Sequence, residues 1–253
     1  MKIERERKMI RLIIVVLFVF LFLIISLPVL FIVRIIGHFN PQLASIASYH
    51  IIQWAFQIVR YLSGVKLIVK GKENLLPHTA VLYVGNHRSY FDIVLSYLCF
   101  PAPTGFVAKK EMFKVFILRR WMENIHCLFL DRKDIKQGLK TILKGIEQIK
   151  SGISVCIFPE GTRNKNDDEL LPFKAGSLKI AEKSGCPIIP MAINHSDDVL
   201  EKHLPFIKKT TVIIEFGKAV PVANLDKEEK KLFAKTIQNT VKTMYDANKT
   251  LPN

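Results

Sequence analysis

Residues 153–163 have the sequence ISVCIFPEGTR, a short apolar run that passes directly into a turn containing a carboxylate, a glycine and a guanidinium. Val and Ile favour strands, and a run that is apolar on both faces is typical of a strand covered by helices on both sides. Six similar runs lie between residues 65 and 216, separated by helical patterns. The sequence therefore predicts an α/β fold with a mixed, mostly parallel sheet flanked by helices.

The predicted strands and the helices between them follow from this alternation. The strands are expected at residues 65–69, 80–85, 105–108, 127–130, 153–158, 188–193 and 211–216. One connecting helix should begin after Asp134 and end before Gly152. Its apolar residues recur at three- and four-residue steps, typical of a helix that packs one face on a core: Ile135, Leu139, Ile142, Leu143, Ile146 and Ile149. A last helix towards Asn248 is expected to start at a capping box of Asp226 and Glu229.

A strongly apolar segment precedes this body. Residues 12–33 contain no charged side chain, and a helix of that length covers roughly 33 Å, enough to cross a bilayer core of about 30 Å. Residues 43–59 also lack charges but contain more polar side chains, which predicts a shorter amphipathic helix. We expect residues 1–62 to form a membrane-anchoring helical hairpin and residues 63–253 to form the α/β domain. A cleaved signal peptide is the rival interpretation, but this apolar stretch is longer than such peptides use.

The charge distribution predicts which side of the membrane the body occupies. Five Lys and Arg residues lie within residues 2–11 and four more within residues 60–72, whereas the turn at residues 37–41 has neither. Positive residues favour the cytoplasmic face, so the termini and the body are expected there. The alternative is a single span, which would place the body outside.

The overall composition narrows the possible partners. The chain has 253 residues, 49% of them hydrophobic, and a formal net charge of +15, so general disorder is excluded. Attraction to anionic lipid headgroups, to coenzyme A or to an acidic carrier protein explains the basic excess. A membrane-anchored nucleic-acid-binding protein is the alternative, but no aromatic-interleaved basic motif or reader helix supports it, and no nucleic acid is expected.

Cysteine and histidine spacing bears on disulfides and metals. Cys99, Cys127, Cys156 and Cys186 form no CxxC pair, and the seven histidines form no HExxH motif. We therefore expect reduced cysteines, no disulfide framework and no metal site.

A histidine and an aspartate follow the predicted strand at residues 80–85. Residues 86–92 have the sequence NHRSYFD and precede an apolar helical run. With His87 in the strand-to-helix turn and Asp92 in the first helical turn, the carboxylate can accept the Nδ1 proton and leave Nε2 free as a base. An HxxxxD pair on its own is common at protein surfaces, so the interpretation depends on the motifs around it.

The turn at residues 158–163 provides groups suited to an anion. Ligands bind at the carboxyl edge of strands in open α/β folds, which is where this turn is expected. Arg163 offers a planar fork for two phosphate oxygens, Gly161 lets backbone approach a ligand, and Thr162 adds a donor. Glu160 should not contact a phosphate; it is expected to orient a cation or to accept backbone hydrogen bonds across the turn.

These motifs, in this order, resemble the glycerolipid acyltransferases, specifically the 1-acyl-sn-glycerol-3-phosphate (lysophosphatidate) acyltransferases, over about residues 65–216. In that family the NHxxxxD block supplies the catalytic base and its carboxylate partner, matched by His87 and Asp92. The FPEGTR block, matched at every position from 158 to 163, is associated with the phosphate of the acceptor. Substrate-binding roles are thereby implied for Glu160, Gly161, Thr162 and Arg163.

Two further blocks strengthen the resemblance. Residues 129–132 match a block that ends in an arginine, here Arg132, although His126 stands where that block usually opens with Gly. Lys109, in the stretch before it, is implied as a phosphate contact. The proline-containing apolar run at residues 187–191 is similar to the fourth block.

The resemblance implies a lipid-acylating enzyme. A fatty acyl group would pass from acyl-CoA or acyl-ACP to the sn-2 hydroxyl of 1-acyl-sn-glycerol 3-phosphate, forming phosphatidic acid in phospholipid biosynthesis. The implied partners are membrane lipids, lysophosphatidate and the donor as co-substrate, with no cofactor. Without a GxSxG elbow, direct transfer with His87 as base is favoured over a protein nucleophile. Glycerol 3-phosphate or another lysophospholipid is the alternative acceptor.

Overall fold

The computed structural model of the chain describes residues 2–166, 169–222 and 227–249, with the side chains of residues 2–5 and 227–231 excepted. Its N-terminal helices are α1 (Lys2–Ile25), α2 (Leu27–Phe39) and α3 (Pro41–Ser63). The helices of the body are α4 (Phe91–Cys99), α5 (Phe116–Asn124), α6 (Ile135–Lys150), α7 (Lys179–Ser184) and α8 (Lys227–Lys249).

The apolar run at residues 12–33 is divided between two helices, which corrects the predicted span. Pro28 has no N–H to donate to the carbonyl of Ile24, so the helix bends at Ser26. Within the described residues, Glu6–Ile25 is the one helix long and apolar enough to cross a membrane, by length and composition. The spanning candidate is therefore about 30 Å long and ends before the predicted segment does.

The predicted hairpin turn is present between α2 and α3. The Asn40 side chain accepts the N–H of Leu43 at 2.9 Å, and Pro41 occupies the first turn of α3. α3 packs against both α1 and α2, so the N-terminal helices form the expected hairpin. α3 ends at Ser63, next to the predicted domain boundary.

Within residues 2–166, 169–222 and 227–249, seven strands form one sheet, as predicted. They are β1 (Lys66–Lys70), β2 (Leu82–Gly85), β3 (Thr104–Lys109), β4 (Leu128–Leu130), β5 (Ser154–Ile157), β6 (Ile188–Asn194) and β7 (Thr211–Phe216). Their order is β1-β7-β6-β2-β5-β3-β4, and each neighbouring pair is parallel except β6 with β7. The mixed, mostly parallel sheet confirms the predicted fold class. Because β2 and β5 are parallel neighbours, the segments after residues 85 and 157 leave the sheet side by side.

Helices cover both faces of the sheet. One core contains side chains from α3, α4 and α5, among them Trp121, together with Tyr83 of β2. The other contains side chains from α6, α7 and α8, among them Ile237. Asp226 lies outside the described residues, as does the side chain of Glu229, so the capping box of the last helix stays a prediction.

α6 has the predicted ends, but only part of its predicted apolar face is buried. The Asp134 side chain accepts the N–H of Gln137 at 3.1 Å, and Gly152 follows the helix with a φ of +89°. Ile149 is buried, whereas Ile135, Leu139 and Leu143 are 90%, 57% and 50% exposed. The reason is a close approach on the side of the helix that carries Gly145, where a Cβ atom would lie 2.6 Å from Ile180 Cδ1. This contact turns the stripe formed by Ile135, Leu139 and Leu143 away from the sheet.

Candidate active site

Asn86 directly follows β2 and fixes the position of the next residue, His87. The Asn86 side-chain amide donates to the carbonyl of Ile193 at 2.9 Å, and its side-chain oxygen accepts the N–H of Ile193 at 2.8 Å. A fully buried side chain thus replaces the next rung of the ladder between β2 and β6. The backbone is released into the turn that carries His87.

His87 and Asp92 form the predicted pair. His87 Nδ1 lies 2.7 Å from Asp92 Oδ2, which also accepts the N–H groups of Arg88 at 2.6 Å and Ser89 at 2.7 Å. Asp92 is fully buried in the first turn of α4, where the helix dipole favours a negative charge. With Nδ1 bonded to the carboxylate, Nε2 is left to accept a proton.

The imidazole is held in one orientation. Its ring stacks on Phe158 with the ring centroids 4.4 Å apart and the planes inclined by 11°. The His87 side chain is 17% exposed, so the ring is enclosed but reaches the surface. Packing against Phe158 on one face and the Asp92 carboxylate at Nδ1 together fix the direction in which Nε2 points.

Glu160 links the two motifs. It is buried, and its two carboxylate oxygens accept the N–H groups of His87 at 2.8 Å and Leu171 at 3.3 Å. These are the backbone hydrogen bonds expected from the sequence. Burial raises the pKa of Glu160 to about 7. The hydrogen bonds from the two N–H groups lower this pKa, but their effect is smaller than that of burial.

Glu160 is expected to make stability depend on pH. Because its pKa is raised on folding, the folded protein keeps a proton that the unfolded chain loses near pH 4.5. Its contribution to the free energy of unfolding is present below that pH and is lost as the pH rises through 7, falling by about 2 kcal/mol between pH 5 and pH 8. Urea unfolding in detergent micelles at both pH values measures this difference. Glu160→Gln should remove it and Glu147→Gln, at an exposed position, should not; equal pH slopes in wild type and Glu160→Gln would contradict the assignment.

Two cations meet above Gly161, whose φ of +72° suits glycine. Measured from the point where Gly161 would carry a Cβ atom, Lys174 Nζ lies 3.0 Å away and Arg132 Cζ lies 3.8 Å away. Within the described residues neither cation has an ion-pair partner. Two like charges this close repel each other unless an anion lies between them, so the pair is suited to bind a phosphate.

Arg163 occupies a different environment from this pair. Its Nη1 lies 3.0 Å from Glu201 Oε1, and its Cζ lies 3.9 Å from the ring centroid of Tyr90. Glu201 also accepts the N–H of Tyr90 at 2.8 Å and the hydroxyl of Ser89 at 2.6 Å. Arg163 is therefore held beside the turn that carries His87, with its charge already balanced.

The remaining predicted site residues lie at the same edge of the sheet. Lys109 ends β3 and is exposed, and Thr162 is exposed in the turn that follows β5. His126, in the position usually taken by glycine, has a φ of +61°, so the left-handed turn is kept without glycine. The ring of His126 contacts α3, with Nε2 2.6 Å from Ser45 Oγ, and burial lowers its pKa.

A second histidine and aspartate cluster lies in the loop that follows β6. His195 Nδ1 lies 3.5 Å from Asp198 Oδ2, and its Nε2 is buried. In the same loop, Asp197 accepts Arg88 Nη2 at 2.7 Å and Nε at 3.0 Å, which braces the turn that carries His87. Among the described residues, no group of three or more His, Cys, Asp or Glu side chains is placed to hold a metal ion.

Two residues of the candidate site, Lys174 and Glu201, were not predicted from the sequence. Each lies on a loop far along the chain from the group that it joins, and neither belongs to a motif with fixed spacing. Lys174 is brought in by the hydrogen bond from its N–H to the carbonyl of Pro159 at 3.2 Å. One signal was available. Lys174 follows β5 and Glu201 follows β6, the two strands that flank β2, and the segments after parallel neighbouring strands lie at the same edge of the sheet.

Together these features define an α/β protein with an apolar N-terminal hairpin and a histidine–carboxylate pair at the sheet edge where Arg132 and Lys174 approach Gly161. Residues 66–194, about half of the chain, match the family model described as Acyltransferase. The chain therefore belongs to the acyltransferase family and is an enzyme that transfers acyl groups.

Individual relatives agree with this family. A 1-acyl-sn-glycerol-3-phosphate acyltransferase of Borreliella burgdorferi is 28% identical over 194 residues, covering 77% of each chain. One from Saccharomyces cerevisiae is 27% identical and covers 77% of this chain and 66% of its own length. The crystal structure of the 1-acyl-sn-glycerophosphate acyltransferase PlsC from Thermotoga maritima matches with a TM-score of 0.84 at 23% identity, covering 98% of both chains. The two proteins share one fold.

Proposed function

We propose that the chain acylates the sn-2 hydroxyl of 1-acyl-sn-glycerol 3-phosphate, forming phosphatidic acid for phospholipid biosynthesis. The names of the relatives from Borreliella burgdorferi and Saccharomyces cerevisiae support this acceptor. The observation that carries the proposal is a pair of cations, Arg132 and Lys174, which have no ion-pair partner among the described residues and lie at the sheet edge that bears His87 and Asp92. A phosphate-bearing lysolipid supplies both the anion and the hydroxyl that these two groups need.

The proposed reaction requires one base and no protein nucleophile. His87 Nε2 takes the hydroxyl proton as that oxygen attacks the thioester carbonyl carbon. The carbon–sulfur bond then breaks, and the imidazolium returns the proton to the leaving thiolate, so imidazole and free thiol are regenerated. Ser89 is unsuited to carry the acyl group, because its hydroxyl donates to Glu201 at 2.6 Å and accepts the N–H of Phe91 at 3.0 Å. Acyl-CoA or acyl-ACP is the proposed donor.

A substrate panel tests this function. The purified protein is offered lysophosphatidate, glycerol 3-phosphate and lysolipids with other headgroups, each with acyl-CoA and with acyl-ACP, and the products are resolved by mass. Phosphatidic acid is expected as the main product. A main product from glycerol 3-phosphate or another lysolipid would replace the proposed acceptor.

Removing either Arg132 or Lys174 is expected to weaken binding of the acceptor and not binding of the donor. Arg132→Ala and Lys174→Ala should each raise the KM for lysophosphatidate about tenfold to a hundredfold, the effect of losing a charge-assisted hydrogen bond, and leave the KM for the donor unchanged. Arg163→Ala should have a smaller effect, because Glu201 already balances its charge. Steady-state kinetics with each substrate varied in turn gives both constants. Lys183→Ala is the matched control at an exposed lysine, and equal increases for donor and acceptor would refute the assignment.

We also propose that the catalytic body lies on the cytoplasmic side of the membrane. The lysines and arginines before residue 12 and after residue 59 support this orientation. Reporters fused to either terminus are expected to be accessible only from the cytoplasm. Labelling of the C-terminus from outside would support the single-span alternative instead.

A further inference from the structure

An exposed apolar surface lies beside the active-site edge. It has two ridges, which we name together the α5–α6 surface. One ridge is the stripe on α6 formed by Ile135, Leu139 and Leu143. The other is formed by residues at and before the start of α5 that are 44%, 49% and 60% exposed, namely Phe113, Val115 and Phe116.

Beside the α5 ridge, and on the opposite flank of α6 from its apolar stripe, lies a cavity of about 680 Å³ that combines an apolar floor with a basic rim. Phe129 contributes to the floor, and its ring packs edge to face on the ridge residue Phe113 with the centroids 5.2 Å apart. Four lysines line the cavity: Lys110, Lys114, Lys140 and Lys144. Among the described residues only the first has an acidic partner, Asp131.

The acidic side chains of the cavity do not neutralise this rim. It contains two, Glu111 and Glu123, and the second is paired with Arg119 and Arg120. The surface therefore carries uncompensated positive charge around exposed aliphatic and aromatic side chains. Lysine stems lie along apolar surface while the ammonium groups stay in a polar layer, an arrangement suited to the boundary between acyl chains and anionic headgroups.

The α5–α6 surface is continuous with the N-terminal helices. At the far end of α5, Trp121 Nε1 donates to Ser26 Oγ at 2.9 Å, at the bend between α1 and α2. Phe116 lies five residues before Trp121, about 7.5 Å along the helix axis. The α6 ridge starts at Ile135, three residues after Arg132. One side of the surface thus adjoins the membrane anchor, and the other adjoins the proposed phosphate site.

We propose that the α5–α6 surface is a second membrane contact, which docks on a bilayer containing anionic lipid. The apolar ridges enter the headgroup boundary, and the four lysines meet lipid phosphates. Docking holds the carboxyl edge of the sheet against the lipid layer from which a lysolipid would be drawn. This inference concerns a surface and not the identity of the acceptor, so it can fail while the proposed function stands.

Site-directed labelling tests the contact directly. Full-length protein carrying Cys99→Ala and Cys127→Ala, which remove the two thiols that are not fully buried, receives a bimane label at Leu139→Cys. Leu232→Cys is the matched control, since Leu232 is 61% exposed on α8 at the other end of the same helical layer. In vesicles containing roughly a third of phosphatidylglycerol, a nitroxide on the lipid should quench the label at position 139 about fivefold more than the label at position 232. Equal quenching at the two positions would overturn the proposal.

A charge substitution supplies the second arm. Leu139→Glu combined with Leu143→Glu should lower turnover of bilayer-embedded lysophosphatidate about tenfold and leave turnover of a monomeric short-chain lysophosphatidate unchanged, whereas Leu232→Glu should change neither. Unchanged turnover in the bilayer refutes the second contact. Loss with both substrates shows a folding defect, and the labelling result then decides. Shielding of position 139 by added acyl carrier protein without anionic lipid would assign the surface to a protein partner and overturn the membrane assignment.

Discussion

His87→Ala is expected to lower kcat by about 10²–10⁴-fold, the range for removal of a general base, with little change in the KM for lysophosphatidate. The ring stacks on Phe158 and its Nδ1 is bonded to Asp92, so Nε2 is the nitrogen left to act as the base. The measurement is initial rate against lysophosphatidate concentration for detergent-solubilised protein.

Two controls separate catalysis from folding in this experiment. His78→Ala, at an exposed histidine remote from the sheet edge, should retain full activity. The unfolding midpoint of His87→Ala should stay close to that of the wild type, because the backbone N–H of residue 87 still donates to Glu160. A folded His87→Ala protein with wild-type turnover would exclude this histidine as the base.

Asp92→Asn is expected to lower kcat by about 10²-fold or more while KM changes little. Asp92 Oδ2 accepts three donors, so an amide oxygen in its place preserves the tautomer of His87 and loses only the negative charge. That charge stabilises the imidazolium that forms during attack. Initial-rate kinetics together with thermal unfolding of the same preparation measures both consequences.

Asp197→Asn is the matched control for this variant. Asp197 is also a buried carboxylate that supports the turn, but it contacts Arg88 and not the imidazole. We expect this variant to lose thermal stability and to keep most of its kcat per folded molecule. An equal fall of kcat in the two variants would mean that Asp92 acts only through the shape of the turn.

The strands and the histidine–carboxylate pair were predictable because each depends on local sequence. Every predicted strand is present, with its ends shifted by at most two residues, because short β-branched runs bounded by turn residues specify strands. The HxxxxD spacing sufficed for the pair, since a helix that starts between the two residues brings them together. Pro28 was a local signal for the bend at Ser26. The prediction of one continuous segment over residues 12–33 relied on hydrophobicity and did not use that signal.

The parts that sequence did not predict depend on distant contacts. Lys174 approaches Arg132 only because β5 and β4 lie on either side of β3 in the sheet. The orientation of α6 depends on Ile180, which fits against Gly145. Hydrophobic periodicity located the apolar side chains of α6 correctly. It does not distinguish those that pack inside the protein, such as Ile149, from those that stay exposed, such as Leu139.

The edge position of β1 beside β7 has a consequence for how the protein is made. Residues 66–70 pair with residues 211–215, so the first strand to leave the ribosome must wait for the last before it gains its partner. Pairing across so long a stretch of chain is slow. The apolar N-terminus is meanwhile free to enter the bilayer, and it would tether the unfinished domain there until translation is nearly complete. A messenger truncated before codon 211 would thus yield an inserted anchor with no working enzyme attached.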